Sequence, residues 1–425
     1  MTLSAAISAP RGVIAASDER KLDTARIQQA LDHCEAGHAV VLRSNGVKNI
    51  FLTGTLTLRS NVTLVVDKDT ALVASRDSRV YDLSPYSRGK PLERGHECKP
   101  LITGDGAVNS GIMGDGSIDG RDGAMLLGQK VTWWDLAHQA KVLDKSQSVF
   151  SLIWLRHADN FTLYSITLRN SPNYHVNVSE TNGFTAWGMN IMTPKTARDT
   201  DGIDPSSCRN VTIAYSNIHT GDDDAAVKLG KGGPSSNISI LHSHFYTGHG
   251  MSVGGGTDVG NHDTVYTGTR NCAPDGENSI VTRQYFSDCY VAGNVDFLLG
   301  DSKAVYDRCE IHSTAHSGGY ITAQARHYPE QDSGFVIAHS RLTANPDLKG
   351  TVYLGRPWRS YAKVIFLDTT MGAHIDPAGW REWHPGETHS IETVYYAEFN
   401  SMGPGAHHGQ RDPHTHFLTP QDARE

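Results

Sequence analysis

The 425 residues include 42 glycines, only 38 % hydrophobic residues and a formal net charge of -8. That balance lacks the basic stripe that phosphate contacts demand, so a nucleic-acid partner is not expected, and no run of 18 apolar residues is present to span a membrane. Abundant glycine with a thin apolar fraction suits a solenoid of short coils.

In chain order, the opening MTLSAAISAPRGVIAASDERK has neither the charged n-region nor the long apolar core of a signal peptide. Residues 22–36 place Ile27, Ala30, Leu31 and Cys34 at helical spacing, with Asp23 and Thr24 as N-terminal caps, and predict an amphipathic helix that covers one end of the fold. From residue 38 the pattern turns to short alternating strands between Gly, Asn and Asp turns: HAVVLRS, NIFLTGTLTL, NVTLVVD, GIMGDGSIDG and NFTLYSITLRN. No helix–strand alternation of the doubly wound kind interrupts it.

The strand openings NFTLYSITL, NGFTAWGMNI, RNVTIAYSNI and SNISILHSHF align on Phe161, Phe184, Val211 and Ile238, giving steps of 23, 27 and 27 residues. A recurring unit of this size predicts an all-β, single-stranded parallel β-helix, in which residues of equal phase stack ~4.8 Å apart. RQYFSDCYVAG, KAVYDRCEIHS and SGFVIAHSRLT continue the pattern further on. GGGTDVGN at 254–261 is the one soft spot, and residues 40–370 are expected to form one uninterrupted solenoid. The six cysteines, Cys34, Cys98, Cys208, Cys272, Cys289 and Cys309, are scattered and read as buried thiols. Cys289 and Cys309 lie about one coil apart and would stack in the interior, a disulfide between them being the alternative.

Phase also gathers carboxylates. Asp222 follows Val211 at the same offset as His249 follows Ile238, and a longer turn brings Asp201 one coil below Asp222, so Asp201, Asp222, Asp223 and His249 converge on one patch. Crowded carboxylates raise one another's pKa, which lets one stay protonated as a general acid while a neighbour activates water. Taken singly, each of these residues is as well explained as a turn residue.

DTDGIDP at 199–205, GDDDAAVKLG at 221–230 and GHGMSVG at 248–254 resemble three consecutive motifs of the polygalacturonases, and GDGSIDGRDG with Trp133 and Trp134 is similar to their upstream coils. The resemblance covers about residues 10–255 and implies a right-handed parallel β-helix. It makes Asp222 the general acid, gives Asp201 and Asp223 the attacking water, has His249 support the acid in a single inverting displacement, and places Lys228 at the substrate. Asp199 stands where that family has asparagine, and its next motif, an Arg-Ile-Lys, is missing. The oxyanion and nucleophile chemistry of a second family follows at once.

NHDTVYTG at 261–268, RQYFSDCYVAGNVDFLLG at 283–300, GGYITAQAR at 318–326, YLGRPWRSYAKVIF at 353–366 and AHIDPAGWREW at 373–383 resemble the successive motifs of the pectin methylesterases. By that resemblance Asp296 is the nucleophile, Asp263 the acid and then base, Arg356 the group that orients Asp296, and His262 and Trp358 meet the substrate. His262 replaces a glutamine of that family, and the coil bearing a second glutamine is missing.

The chain therefore reads as a hybrid: residues 1–255 polygalacturonase-like and 256–425 pectin methylesterase-like, the two continuous. The function implied is hydrolysis of α-1,4-galacturonan in pectin by the aspartate trio, with methanol release through Asp296 as one alternative and an inactive or pectin-binding chimera as the other. A secreted or periplasmic monomer without cofactor or metal is expected. His407, His408, His414 and His416 near the C-terminus have no ligand-like spacing and read as a solvated tail.

Overall fold

The computed structural model describes residues 2–84, 88–91, 98–228, 230–233, 235–254, 265–267, 283–384 and 391–424. The chain forms two compact units, Met1–Ile238 and Ser239–Glu425. Each is a parallel β-helix whose coils feed three sheets in turn. The segment 254–261 lies outside the described residues apart from its first position, as do 269–279 and Cys272.

In the first unit the pairing register is the phase read from the sequence: Thr162 pairs with Thr185, and Phe184 with Val211. Inward positions then form aliphatic columns. Ile112, Leu163, Ala186 and Ile213 stack along the first sheet, and Ile118, Leu168, Ile191 and Ile218 along the second. Ile102, Ile153, Val176, Ile203 and Ala225 stack along the third. All are fully buried, so a thin apolar fraction suffices because every coil supplies only a few inward side chains.

The turn entering the first sheet needs a left-handed residue, and asparagine tolerates it best after glycine. Asn61, Asn109, Asn160, Asn210 and Asn237 occupy it with φ between 52° and 61°. Their amides form a ladder: Asn109 donates to Asn61 at 3.2 Å and Asn160 to Asn109 at 3.0 Å, while Asn210 donates to Asn182 at 2.8 Å and Asn237 donates to Asn210.

The N-terminal helix spans Thr24–Asp32 and buries Ile27 and Leu31, shorter than the sequence pattern suggests, with Ala30 only half-buried. It covers the end of the third sheet: the Gln28 amide donates to the Thr57 carbonyl at 3.0 Å and accepts from its N–H at 2.9 Å, satisfying an edge strand. Asp23 stands at the N-cap position, yet its carboxylate does not cap the helix. It accepts from the Leu52 N–H at 2.9 Å and from Arg26 at 2.9 Å, and pairs with Arg11, because a strand N–H and two cations outbid the helix for it. A second helix, Trp133–Val142, was not expected from the strand pattern. Thr132 and Asp135 form its capping box, and Trp133 packs edge-on against the stacked Tyr81 and Phe150.

In the second unit aromatic stacks carry more of the core. Phe286 stacks on Tyr306 with centroids 4.6 Å apart, and Trp380 on Tyr396 at 3.9 Å. Cys289 and Cys309 are buried free thiols in the turns between the first- and second-sheet strands of adjacent coils. The C-terminal histidines are not a solvated tail: Thr415–Phe417 adds a parallel strand to Tyr395–Phe399, His416 stacks on Tyr395 at 4.8 Å, and His408 donates from Nε2 to the Ser401 carbonyl at 3.1 Å. Strand pairing holds this segment because the last coil otherwise leaves an open edge.

Candidate active sites

In the first unit, Asp201 precedes strand Ile203–Ser206 and Asp223 opens strand Asp223–Lys228, directly one rung on. The Gly202 N–H donates to the Asp223 carbonyl at 2.8 Å. This close approach requires glycine, since a Cβ at 202 would run into the Asp224 carbonyl. The structure thus brings Asp201, Asp222 and Asp223 together at the turn between the second and third sheets, and Asp222 also faces Asp199. Asp222 accepts from the Asp223 N–H at 3.0 Å, which holds its carboxylate against the turn.

Lys228 enters this patch through its ion pairs. Its ammonium donates to Asp201 at 3.1 Å and to Asp204 at 2.6 Å and lies 4.7 Å from the Tyr174 ring centre. Burial and the neighbouring Asp204 carboxylate push Asp201 well above the ordinary carboxylate range, with Lys228 opposing. Burial likewise raises Asp204 against the pull of Lys228. Burial would lower Lys228, but the two carboxylates outweigh it and raise it. Asp199 is raised by burial, against Arg198, whose Nε lies 3.3 Å away.

Asp204, Tyr174 and His175 are partners that phase reasoning did not single out. Asp204 was legible within the quoted DGIDP. His175, fully buried, donates from Nδ1 to the Asp201 carbonyl at 2.9 Å and accepts at Nε2 from Thr193 at 2.7 Å; burial lowers its pKa to about 4, so it stays neutral. It anchors the backbone that carries Asp201. His249 is half-buried and belongs to the second unit, on the turn into Gly250–Gly254.

In the second unit, Asp296 lies in strand Val295–Gly300 at a register shift: Val295 pairs with Tyr320, but Leu298 pairs with Thr322. The extra residue is a bulge, and Asp296 adopts φ 53° there, which re-aims its carboxylate. Arg356 grips that carboxylate with a fork, Nε to Oδ1 at 3.0 Å and Nη2 to Oδ2 at 2.6 Å. The guanidinium is held in turn by two rings, with the Tyr320 and Trp383 centroids each 4.2 Å away, and by the Trp383 carbonyl at 3.3 Å. Tyr320 stacks on Tyr353 at 5.4 Å, extending the aromatic wall. Tyr320 and Trp383 lie inside the quoted motifs, but only the fold shows them clasping Arg356. Trp358 is half-buried with Arg359 5.0 Å from its ring centre. Asp263 and His262 lie outside the described residues.

The comparisons with known proteins agree with this division. The family model for glycosyl hydrolases family 28 matches residues 84–271, and that for pectinesterase matches 261–423. An endo-polygalacturonase of Pectobacterium carotovorum subsp. carotovorum is 48 % identical over 253 residues, covering 58 % of this chain and 63 % of that protein. A probable pectinesterase/pectinesterase inhibitor of Arabidopsis thaliana is 43 % identical over 137 residues, covering 30 % of this chain and 26 % of that protein. The chain thus spans under two thirds of the length of these curated relatives. The solved polygalacturonase from Erwinia carotovora ssp. carotovora superposes with a TM-score of 0.62 at 31 % identity, covering 89 % of this chain and 95 % of that one. The chain therefore belongs to glycosyl hydrolases family 28, and its C-terminal part is of the pectinesterase family.

Proposed function

We propose that the protein hydrolyses α-1,4-galacturonan in pectin through the first-unit aspartates. The observation that carries this reading is the convergence of Asp201, Asp222 and Asp223 on one turn, with Lys228 and Asp204 behind Asp201. Asp222 acts as general acid to the leaving oxygen, Asp201 and Asp223 position and deprotonate water, and His249 supports the acid. This is a single inverting displacement, in which one carboxyl gives a proton and another takes one from water. Lys228, already neutralising Asp201 and Asp204, contributes positive potential beside the substrate carboxylate. We place the protein outside the cytoplasm, where its polymer lies, acting as a monomer, with residues 1–255 as the glycosidase part.

The second reading is ester hydrolysis in residues 256–425, favoured by the Arg356 fork on Asp296. An arginine so placed keeps the carboxylate ionised and aimed for attack on a methyl ester, while Asp263 supplies and recovers the proton, His262 donates to the oxyanion and Trp358 contacts sugar. One experiment separates the two: the protein is incubated with polygalacturonate and with highly methylated pectin, and reducing ends and methanol are measured. Reducing ends that vanish in Asp222→Asn and persist in Asp296→Ala are expected. Methanol without reducing ends reverses the order, and neither product refutes both.

A further inference from the structure

The first unit carries an exposed aromatic strip on a different corner from the aspartates. Tyr164 and Trp187 end paired strands of the first sheet, and Tyr215 follows the next strand on. They are 50 %, 40 % and 49 % exposed, and the Trp187 and Tyr215 rings lie 4.6 Å apart. Tyr164 and Trp187 are rung partners and Tyr215 lies one residue past Ala214 on the next rung, so the three rings mark one corner of successive coils, an exposed apolar strip that a folded core does not require. Beside it runs the outer face of the second sheet. There Arg169, exposed, pairs in register with Met192, itself 45 % exposed.

The charge around the ribbon decides what would cover it. The Arg169 guanidinium makes no ion pair among the described residues. Asp119, its neighbour one rung below, accepts at Oδ1 from the Asn170 amide at 3.0 Å and the Arg121 N–H at 2.8 Å. Asp115, near the ribbon, accepts from Ser165 at 2.7 Å. An unpaired cation next to flat apolar faces fits a chain of pyranose rings that bear carboxylates: C–H faces lie on the aromatic rings and a carboxylate meets Arg169. The second sheet contributes only three residues per strand here, roughly 10 Å, between the ribbon and the turn with Asp201 and Asp222.

We propose that Tyr164, Trp187 and Tyr215, with Arg169, form a second binding surface for an anionic polysaccharide, apart from the acid cluster. The choice of polymer rests on the function proposed above; the surface itself does not depend on hydrolysis. The test is electrophoresis of the full chain carrying Asp222→Asn through gels containing polygalacturonate or neutral dextran. Retardation by polygalacturonate alone is expected, with an about tenfold weaker Kd when Trp187→Ala is added, and near-complete recovery with Trp187→Phe. Tyr164→Ala serves the same purpose if circular dichroism shows that Trp187→Ala unfolds. Unchanged retardation in these variants overturns the proposal. So does equal retardation by dextran, or a dimer in sedimentation that Trp187→Ala dissolves. Reducing-end release by the wild-type chain, measured in parallel, reports on the acid cluster separately: hydrolysis without Trp187-dependent retardation sinks the surface alone, and the reverse sinks the hydrolase reading alone.

Discussion

Replacing Lys228 with methionine removes the ammonium shared by Asp201 and Asp204 and keeps most of the side-chain volume. The carboxylates retain 6 % and 1 % of their side-chain exposure and Lys228 retains 30 %. Breaking a buried ion pair from one side costs about 3–5 kcal/mol, and the partial exposure of Lys228 puts the expectation at about 3 kcal/mol near neutral pH. For a cooperative unit of 238 residues the entropy of unfolding is about 0.5 kcal/mol/K, so Tm falls by about 6 °C. The pH dependence identifies the cause. Both carboxyl groups are raised in the folded state, so their contribution is neutral below the unfolded value of about 3.9 and becomes unfavourable as pH rises above it. Without Lys228 both rise further, so the deficit of the variant is small near pH 4 and grows as pH rises toward 7. Urea unfolding of both proteins across that range, followed by circular dichroism, measures it. A deficit under about 1 kcal/mol at pH 7, or one as large at pH 4 as at pH 7, refutes the reasoning.

Three further outcomes are expected. His175 is neutral in the folded state with its pKa lowered to about 4, so the unfolded chain alone takes a proton as pH falls below 6.5; on the order of 3 kcal/mol of stability, present above 6.5, is lost toward pH 4, and His175→Asn flattens this part of the pH–stability curve. Asn210→Gly should lose only its ladder hydrogen bonds, about 1 kcal/mol in denaturant unfolding, whereas Asn210→Ala adds about 1 kcal/mol of left-handed strain at φ 54°. If the alanine variant is no worse than the glycine one, the turn does not constrain that residue. Arg411 donates to Glu398 at 2.6 Å and to the Gly405 and Asp376 carbonyls at 2.9 and 3.1 Å, and both side chains are essentially buried. Arg411→Met therefore costs about 3–5 kcal/mol and opens the last coil to limited proteolysis, and a variant as resistant as the wild type contradicts that.

The amino-acid sequence by itself determined the coil. The phase from Phe161 to Val211 is the strand register, because a parallel β-helix repeats the same inward positions on every rung and the apolar columns make any slip costly. The same phase placed Asp201 one rung from Asp222, whereas the strand register sets it opposite Asp223, one residue on, and the quoted motifs contained Asp204, Tyr320 and Trp383 without revealing their partners. Those partnerships were decided by tertiary structure, since they join residues far apart in the chain: Lys228 to Asp204, His175 to the Asp201 carbonyl, and the Trp383 and Tyr320 rings to the Arg356 guanidinium. The helix Trp133–Val142 was hidden because its aromatics belong to a core contributed by Tyr81 and Phe150, although T-x-x-D at 132–135 marked its start. Asp23 was misread as a cap for a related reason: a local rule names the N–H groups within reach along the chain, and only the fold brings Leu52 and Arg11 closer.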